Sequence, residues 1–257
     1  MTTASSPQAV LITGASSGLG EALALAYAAP GVRLYLCGRD RARLMAVVAQ
    51  CRAKGADAKG EALDVTDAAG QQAWIDRAAG QGPLDLVIAN AGISAGTGGK
   101  GLESAEQTRR ILAVNIDGLV NTALPAAHLL ARQGHGHLAL MSSLAAFRGF
   151  PGAAAYCGSK AFVRVWGESL RGDLAASGVS LSVICPGYVM SRITAANSFP
   201  MPLLMPADKA ARIIRAGLAG KRARIAFPLP VYFVAWLLGA LPPGLVDPLI
   251  RRLPKKS

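Results

Sequence analysis

The chain has 257 residues, 52% of them hydrophobic and 29 of them glycine, so it can bury a large core and is too apolar to be disordered. Its formal net charge of +12 comes from scattered Lys and Arg residues without interleaved aromatic residues, which argues against nucleic-acid binding. Four cysteines without a Cys-x-x-Cys pair predict neither a metal site nor a disulfide framework, and no secretory signal opens the chain. We therefore expect a single domain over residues 1–257, located in the cytoplasm.

Short apolar runs alternate with longer helical segments along the chain, a pattern typical of βαβ units. The predicted strands cover 8–13, 32–37, 58–63, 84–89, 137–142, 179–185 and 223–227. The predicted crossover helices cover 19–29, 40–54, 67–79, 104–132 and 153–176. This order predicts an α/β fold of three layers around a doubly wound parallel sheet, Rossmann-like in type. Ligands bind beyond the carboxyl ends of the strands in such sheets, so functional residues are expected just after strands.

A glycine-rich turn follows the first predicted strand, and a helix-forming segment begins directly after it. The turn reads Thr13-Gly14-Ala15-Ser16-Ser17-Gly18-Leu19-Gly20. Glycines let a backbone approach a diphosphate closely, while the N–H groups and dipole of a helix start stabilise its negative charge. The spacing G-x-x-x-G-x-G is a variant of the dinucleotide fingerprint, and the alternative is a tight turn without a ligand.

A phenol and an ammonium group lie on one face of the fifth predicted helix, because Tyr156 and Lys160 are four residues apart. A nearby cation favours the phenolate form of a tyrosine, whose free pKa of about 10 is too high for a general base at neutral pH. Ser142 and Ser143 end the strand that precedes this helix. Since neighbours in an extended chain point to opposite sides, one of these two hydroxyls is expected to join Tyr156 in an acid–base site.

Several short motifs occur in the order found in the short-chain dehydrogenase/reductase family, which the chain resembles over residues 8 to about 192. They are Thr13 to Gly20, Asn90-Ala91-Gly92, Asn115, Ser143, Tyr156 to Lys160 and Pro186-Gly187. The resemblance selects Ser143 over Ser142 and implies four catalytic residues, Asn115, Ser143, Tyr156 and Lys160. It gives the backbone carbonyl of Asn115 the role of holding a water that leads to Lys160.

The resemblance also implies a cofactor site and a reaction. A nicotinamide exchanges hydride with a carbonyl or secondary alcohol, Tyr156 is the acid or base, and no metal takes part. The expected cofactor is NADP(H), with NAD(H) as the alternative, because Gly38 stands where NAD-users carry an acid and Arg39 follows it. The implied cofactor-binding residues are Gly14, Ser16, Ser17, Gly18, Leu19, Gly20, Arg39, Asp64, Val65, Asn90, Ala91, Gly92, Tyr156, Lys160, Pro186, Gly187, Val189 and Ser191.

Three other function classes compete with this interpretation, and one of them is a lipid-modifying reductase associated with a membrane surface. A dinucleotide-binding regulatory or scaffold protein would keep the fold and lack turnover, which the intact catalytic set argues against. A Ser-His-Asp hydrolase needs a histidine beside an exposed serine, but no Gly-x-Ser-x-Gly elbow occurs, and the three histidines are expected at the surface. They are His128, His135 and His137.

Partners are expected to be a small carbonyl or alcohol substrate and further copies of the chain. The helices that carry Asn115 and Tyr156 resemble those through which relatives form homodimers or homotetramers. Residues 188–210 fall where relatives have a lid over the substrate, and their methionines suit an apolar ligand; the alternative is a packed loop without this role.

Residues 229–257 form an apolar and basic C-terminal extension. Its uninterrupted apolar core, 231–241, lies between prolines and is too short to span a bilayer, which takes about 20 residues. Two interpretations stay open: a helix packed over the substrate cleft or a subunit interface, which we favour, or a helix in a membrane surface. In the second, anionic lipid would face Lys221, Arg222, Arg224, Arg251, Arg252, Lys255 and Lys256.

Overall fold

The computed structural model describes residues 7–97, 101–195 and 200–250. Each predicted strand is found within two residues of its expected bounds, and in this part of the chain seven parallel strands form one sheet in the order β3-β2-β1-β4-β5-β6-β7. The strands are β1 (Ala9–Thr13), β2 (Arg33–Gly38), β3 (Asp57–Ala62), β4 (Leu86–Ala89), β5 (Gly136–Met141), β6 (Val179–Pro186) and β7 (Arg224–Phe227). The direction of winding reverses between β1 and β4, where this fold places its ligands.

Helices cover both faces of the sheet. The helices are α1 (Gly18–Tyr27), α2 (Arg41–Ala53), α3 (Ala68–Ala79), α4 (Ala105–Leu112), α5 (Gly118–Gln133), α6 (Ala154–Ala175), α7 (Arg192–Ala195), α8 (Ala207–Ala219), α9 (Leu229–Ala240) and α10 (Pro243–Ile250). The predicted segment 104–132 is divided, because a π-helical turn at Ala113–Asp117 separates α4 from α5. Such turns widen a helix locally and are frequent at functional sites.

Alternation along the strands supplies one core on each face of the sheet. In β1, Val10 and Ile12 join the cluster formed with α1, α2 and α8, while Ala9 and Leu11 join the cluster formed with α3, α5 and α6. Side chains of a strand point to opposite faces in turn, so a strand buried on both sides is apolar throughout. The three-layer doubly wound fold predicted from the sequence is confirmed.

Helix caps distinguish the helices at the carboxyl edge of the sheet. Asp40, Asp67 and Ser104 cap α2, α3 and α4 by accepting backbone N–H groups at 3.0, 2.9 and 3.1 Å. Ser17 and Ala153, which precede α1 and α6, make no side-chain cap hydrogen bond. Because uncapped N–H groups need partners, the start of α1 is open to groups from elsewhere, whereas at the start of α6 the Glu103 carboxylate already accepts the Ala155 N–H at 2.9 Å.

One histidine departs from expectation. His128 and His135 are exposed, but His137 is buried in β5, where its Nε2 lies 2.8 Å from the Ser182 hydroxyl on β6. The surface prediction for His137 is wrong because the residue begins an inner strand rather than ending a turn. Burial lowers its pKa to about 4, so the ring is neutral.

The described residues contain no group of three or more His, Cys, Asp or Glu side chains arranged to hold a metal ion. None of the helices described in residues 7–250 combines the length and the apolar character needed to cross a bilayer. The four cysteines, Cys37, Cys51, Cys157 and Cys185, are buried and form no disulfide.

Candidate active site

A cleft of about 830 Å³ opens beyond the carboxyl ends of several strands. Gly14 after β1, Arg39 after β2, Asn90 after β4 and Gly187 after β6 all line it. The side chain of Tyr156, from the first turn of α6, also lines this cleft. This is the position that a doubly wound sheet assigns to a bound ligand.

The glycine-rich turn is tied to the loop that follows β4. The Thr13 hydroxyl accepts the N–H groups of Asn90 and Ala91 at 3.0 and 3.1 Å, and the Asn90 amide donates to the Thr13 carbonyl at 2.9 Å. Gly14 has a φ of +67°, and a Cβ there would lie 2.8 Å from the Cα of Ala91. Only glycine permits both this backbone angle and this close approach.

The start of α1 offers an anion site. Gly18, with a φ of +60°, begins the helix, and together with Leu19 and Gly20 it lines the cleft. No side-chain cap occupies the first N–H groups, so these donors and the positive end of the helix dipole are directed at the cleft. A backbone donor set of this kind fits the diphosphate of a dinucleotide.

Ser143 and Tyr156 face each other, whereas Ser142, although it lines the cleft, directs its hydroxyl at the backbone of α6. The Ser143 hydroxyl is hydrogen-bonded to the Tyr156 phenol and accepts the Ala145 N–H at 3.1 Å. The Ser142 hydroxyl instead donates to the carbonyl of Lys160 at 2.7 Å. This opposite orientation of neighbours resolves which of the two serines joins the tyrosine.

Lys160 is buried behind Tyr156. Its ammonium donates to the Met141 carbonyl at 2.9 Å and lies 5.9 Å from the centre of the Tyr156 ring. Burial lowers the pKa of Lys160 to about 8. Burial also raises the pKa of Tyr156, and the Ser143 hydrogen bond opposes that rise only in part. The sequence led us to expect a tyrosine pKa lowered by the lysine; the pKa is instead raised, because burial disfavours the charged phenolate.

Asn115 acts through its side chain in this structure. Its Oδ1 accepts the Ile93 N–H at 2.8 Å, and its Nδ2 donates to the Ile93 carbonyl and the Ser159 hydroxyl, both at 3.0 Å. Ser159 in turn donates to the Tyr156 carbonyl at 2.8 Å. The fully buried amide therefore connects the loop after β4 to the helix that carries the tyrosine. This bracing was not foreseen; the sequence predicted a role for the backbone carbonyl alone.

Most predicted site residues meet at the cleft. Every predicted cofactor-binding residue lines it except Asp64, whose carboxylate lies 3.8 Å from the Arg39 guanidinium and accepts the Thr66 N–H at 2.9 Å. Asn115 and Ser143 do not line it but contact residues that do. Lining residues that sequence reasoning missed are Asp40, Arg43, Leu63, Ile93, Ser94, Arg110, Val114, Met141, Arg192, Ile193 and Thr194. Arg43 could have been predicted, because it lies in the first turn of the helix that begins just after Arg39.

Comparison with known proteins agrees with this geometry. The family model for short chain dehydrogenases matches residues 8–200. The chain belongs to the short-chain dehydrogenase family. An uncharacterized oxidoreductase of Myxococcus xanthus is 40% identical over 247 residues, which cover 95% of this chain and 96% of the relative. A 3-oxoacyl-[acyl-carrier-protein] reductase of Staphylococcus aureus is 31% identical over 195 residues, covering 74% and 78%.

Solved structures extend the similarity over the full chain. A short-chain dehydrogenase from Burkholderia phymatum in complex with NAD superposes with a TM-score of 0.82 at 26% identity, covering 100% of this chain and 99% of that one. A second, from Sphingobium yanoikuyae in complex with NADPH, has a TM-score of 0.79 at 26% identity and covers 96% of each chain. This short-chain dehydrogenase is therefore an oxidoreductase acting between alcohols and carbonyl compounds, on the fold of its family.

Proposed function

We propose that this short-chain dehydrogenase transfers hydride between NADP(H) and the carbonyl or secondary alcohol of an apolar small molecule, with Tyr156 as acid or base. The contact between the Ser143 hydroxyl and the Tyr156 phenol, backed by buried Lys160 at the floor of a dinucleotide-sized cleft, carries this proposal. A hydroxyl pair of this kind can hold one substrate oxygen between two donors.

Proton transfer is assigned to Tyr156. The nicotinamide, when bound, supplies or accepts the hydride. In reduction the phenol donates its proton to the substrate oxygen, and the Ser143 hydroxyl stabilises the charge that develops there. The raised pKa of Tyr156 keeps the phenol protonated at neutral pH, which suits the reductive direction. Oxidation reverses both roles.

Lys160 is assigned two tasks. Its ammonium can donate to the hydroxyl groups of the nicotinamide ribose, and its charge favours the phenolate that remains after proton transfer. Since Met141 supplies its only protein hydrogen bond among the contacts described, two donors of the ammonium stay available for the cofactor. Lys160→Ala should therefore weaken both cofactor binding and turnover.

Preference for NADP(H) rests on the residues after β2. A Cβ at Gly38 would lie 2.9 Å from the Ser16 hydroxyl, so there is little room for the acid that selects NAD. Arg39 lines the cleft, its side chain is 57% exposed, and its pair with Asp64 is long at 3.8 Å. A long, exposed pair is worth little, so the guanidinium is free to bind a 2′-phosphate.

Calorimetry on Arg39→Ala tests this preference. NADPH affinity should fall by about tenfold or more, as for the loss of a charged hydrogen bond, while NADH affinity changes little. Arg77→Ala is the matched control, because Arg77 is also an exposed arginine paired with an acid, Glu61, and does not line the cleft. Equal or tighter binding of NADH by the parent protein would refute the preference.

An apolar substrate is inferred from residues 188–210, the proposed lid, of which 196–199 lie outside the described residues. Val189 pairs with Met205 in an isolated bridge, and the Met190 N–H donates to the Met205 carbonyl at 2.8 Å. Ile193 lines the cleft, while Met190 and Leu203 are exposed beside this bridge. Apolar side chains held in water next to a cleft favour an apolar ligand.

Nicotinamide absorbance during incubation with a panel of aldehydes, ketones and alcohols tests the activity itself. We expect turnover with at least one lipophilic carbonyl compound. Tyr156→Phe should lose it while binding NADPH, because only the hydroxyl is removed. NADPH binding without turnover of any compound would instead favour the regulatory function, and parental turnover by Tyr156→Phe would refute the mechanism.

We further propose a cytoplasmic homodimer or homotetramer. On the helices after Asn115 and around Tyr156, Leu124 and Val165 are exposed, and the rings of Phe162 and Trp166 stack at 5.9 Å near the surface. Such a surface is typical of a helix-to-helix contact between copies. A single chain by light scattering at micromolar concentration would refute this assembly.

A further inference from the structure

An apolar surface covers the outer side of α9. In this article, the α9 stripe denotes six side chains that are 37–71% exposed: Leu229, Phe233, Val234, Trp236, Leu237 and Leu241. The inner side of the helix buries Ala235 and packs Tyr232 edge-on against Phe147, with ring centres 5.4 Å apart. A surface helix normally turns a polar face to water, whereas residues 225–246 contain no charged side chain. The α9 stripe thus marks a contact surface.

The orientation of this stripe is set by contacts on the inner side. The Tyr232 hydroxyl accepts a hydrogen bond from Arg224 at 3.1 Å, and Arg148 pairs with Asp247 of α10 at 2.5 Å. Gly239 lies directly against the carbonyl of Phe147, where no side chain would fit. Because these contacts hold both ends of α9, the helix cannot turn its outer side inward.

The α9 stripe is not part of the cleft. No residue of α9 is among the described residues that line it, although α9 contacts the turn that follows Ser143. The helix has 12 residues and ends before Pro242 and Pro243, so it can lie along an apolar surface but cannot cross one. From the sequence we favoured a helix packed over the substrate cleft or a subunit interface; the lining of the cleft gives no support to the first of these, and the second is an outcome of the test below.

Charge identifies the partner. After Asp208 the chain contains a single acid, Asp247, which Arg148 neutralises, and many cations. Arg251, Arg252, Lys255 and Lys256 follow α10 in the sequence, and Lys221 and Arg222 precede β7. Arg212 and Arg224 are paired with Asp208 and Glu168, and Lys209 and Arg215 belong to α8, which packs on the opposite face of the sheet from α9. A second copy would bring the same positive charge to the contact, whereas an anionic lipid surface is complementary to it.

We propose that the α9 stripe docks the enzyme onto the surface of an anionic phospholipid bilayer. An aromatic and aliphatic face gives the apolar contribution, and the cationic C-terminal part of the chain gives the electrostatic one; stable peripheral binding generally needs both. Trp236 and Phe233 suit the level of the lipid headgroups.

Flotation of the full-length protein with lipid vesicles tests the proposal. We expect flotation with vesicles of phosphatidylcholine and phosphatidylglycerol in equal amounts at low salt, and its loss at high salt or with phosphatidylcholine alone. Phe233→Ser/Trp236→Ser should lower vesicle affinity by about tenfold or more. Met45→Ser/Leu102→Ser, which removes two exposed apolar side chains elsewhere, should leave it unchanged.

Cofactor binding and light scattering distinguish the outcomes. All variants should bind NADPH as the parent does, since none of these residues lines the cleft. The proposal is overturned if the parent stays in the soluble fraction with anionic vesicles, or if both double variants float equally well. It is also overturned if Phe233→Ser/Trp236→Ser reduces the number of chains in the assembly without lipid, because the stripe would then be a subunit interface.

Discussion

Asn115→Ala removes the amide that connects the loop after β4 to α6, the helix that carries Tyr156. Three hydrogen bonds are lost, to the N–H and carbonyl of Ile93 and to the Ser159 hydroxyl, at 2.8, 3.0 and 3.0 Å. Each is worth about 0.5–1.5 kcal/mol, so we expect the free energy of unfolding to fall by about 2–4 kcal/mol. For a chain of this size that lowers Tm by about 5–15 °C. Since Ser159 bonds the Tyr156 carbonyl, kcat should fall by about 10- to 100-fold.

Gln133→Ala separates stability from catalysis. Gln133 lies at the other end of α5 and braces a backbone in the same way, accepting the Leu84 N–H at 3.2 Å and donating to the Leu84 carbonyl at 3.0 Å. It is remote from the cleft lining. Urea denaturation should show a loss of stability in both variants, and steady-state kinetics a fall in kcat for Asn115→Ala alone. Equal effects on kcat at equal stability loss would show that Asn115 serves the fold and not the site.

Variants at three further positions test a helix cap, the space beside Ser16 and the pKa of Lys160. The Glu103 carboxylate accepts the N–H of Ala155 at 2.9 Å and so caps α6, whose own N-cap residue makes no side-chain hydrogen bond. Glu103→Ala should lower the free energy of unfolding by about 1 kcal/mol and should lower kcat. Glu103→Gln keeps an acceptor and should restore both quantities, as measured by denaturation and steady-state kinetics. Gly38→Ala should weaken NADPH and NADH alike in calorimetry, because its Cβ would lie 2.9 Å from the Ser16 hydroxyl, and unchanged affinity would contradict that crowding. Burial lowers the pKa of Lys160 to about 8, so the unfolded chain binds more protons between pH 8 and about 10, and stability due to this group rises with pH there. The unfolding free energy of the parent minus that of Lys160→Met should increase as the pH rises through that window. A difference that does not change with pH would refute the shift in the Lys160 pKa.

The fold was predictable because its signals are local. Each strand buried on both faces is a continuous apolar run, as in Val10-Leu11-Ile12, and each glycine turn or acidic cap is a matter of a few neighbouring residues. The division of segment 104–132 was not predictable. The π-helical turn contains Asn115, whose side chain bonds Ser159 on a distant helix, and the local sequence carries no signal of that contact. The helical pattern on either side of it is unbroken in the sequence.

The candidate site was predictable where spacing along the chain determines neighbourhood. Tyr156 and Lys160 share a helix face, and Gly14 and Asn90 follow adjacent strands, so their meeting needs only the topology. The pKa shifts were not, because they depend on hydration. From the sequence, Lys160 four residues after Tyr156 predicted a lower tyrosine pKa. Burial of both groups instead raises the pKa of Tyr156 and lowers that of Lys160.

Contacts between distant segments hold the turn that follows Ser143. The guanidinium groups of Arg164 and Arg224 lie 4.9 and 5.4 Å from the ring centre of Phe147. The carboxylate of Glu168 accepts a hydrogen bond from each of these arginines. In the membrane interpretation of the sequence Arg224 faces anionic lipid, whereas in the structure it contacts Glu168 and Phe147. Folding brings α6, β7 and the turn after Ser143 together, and a half-buried carboxylate and an aromatic face then compensate two cations removed from water. Because that turn directly follows Ser143, the position of the Ser143 hydroxyl depends on side chains from three separate elements, and a substitution in any one of them acts on the site at a distance.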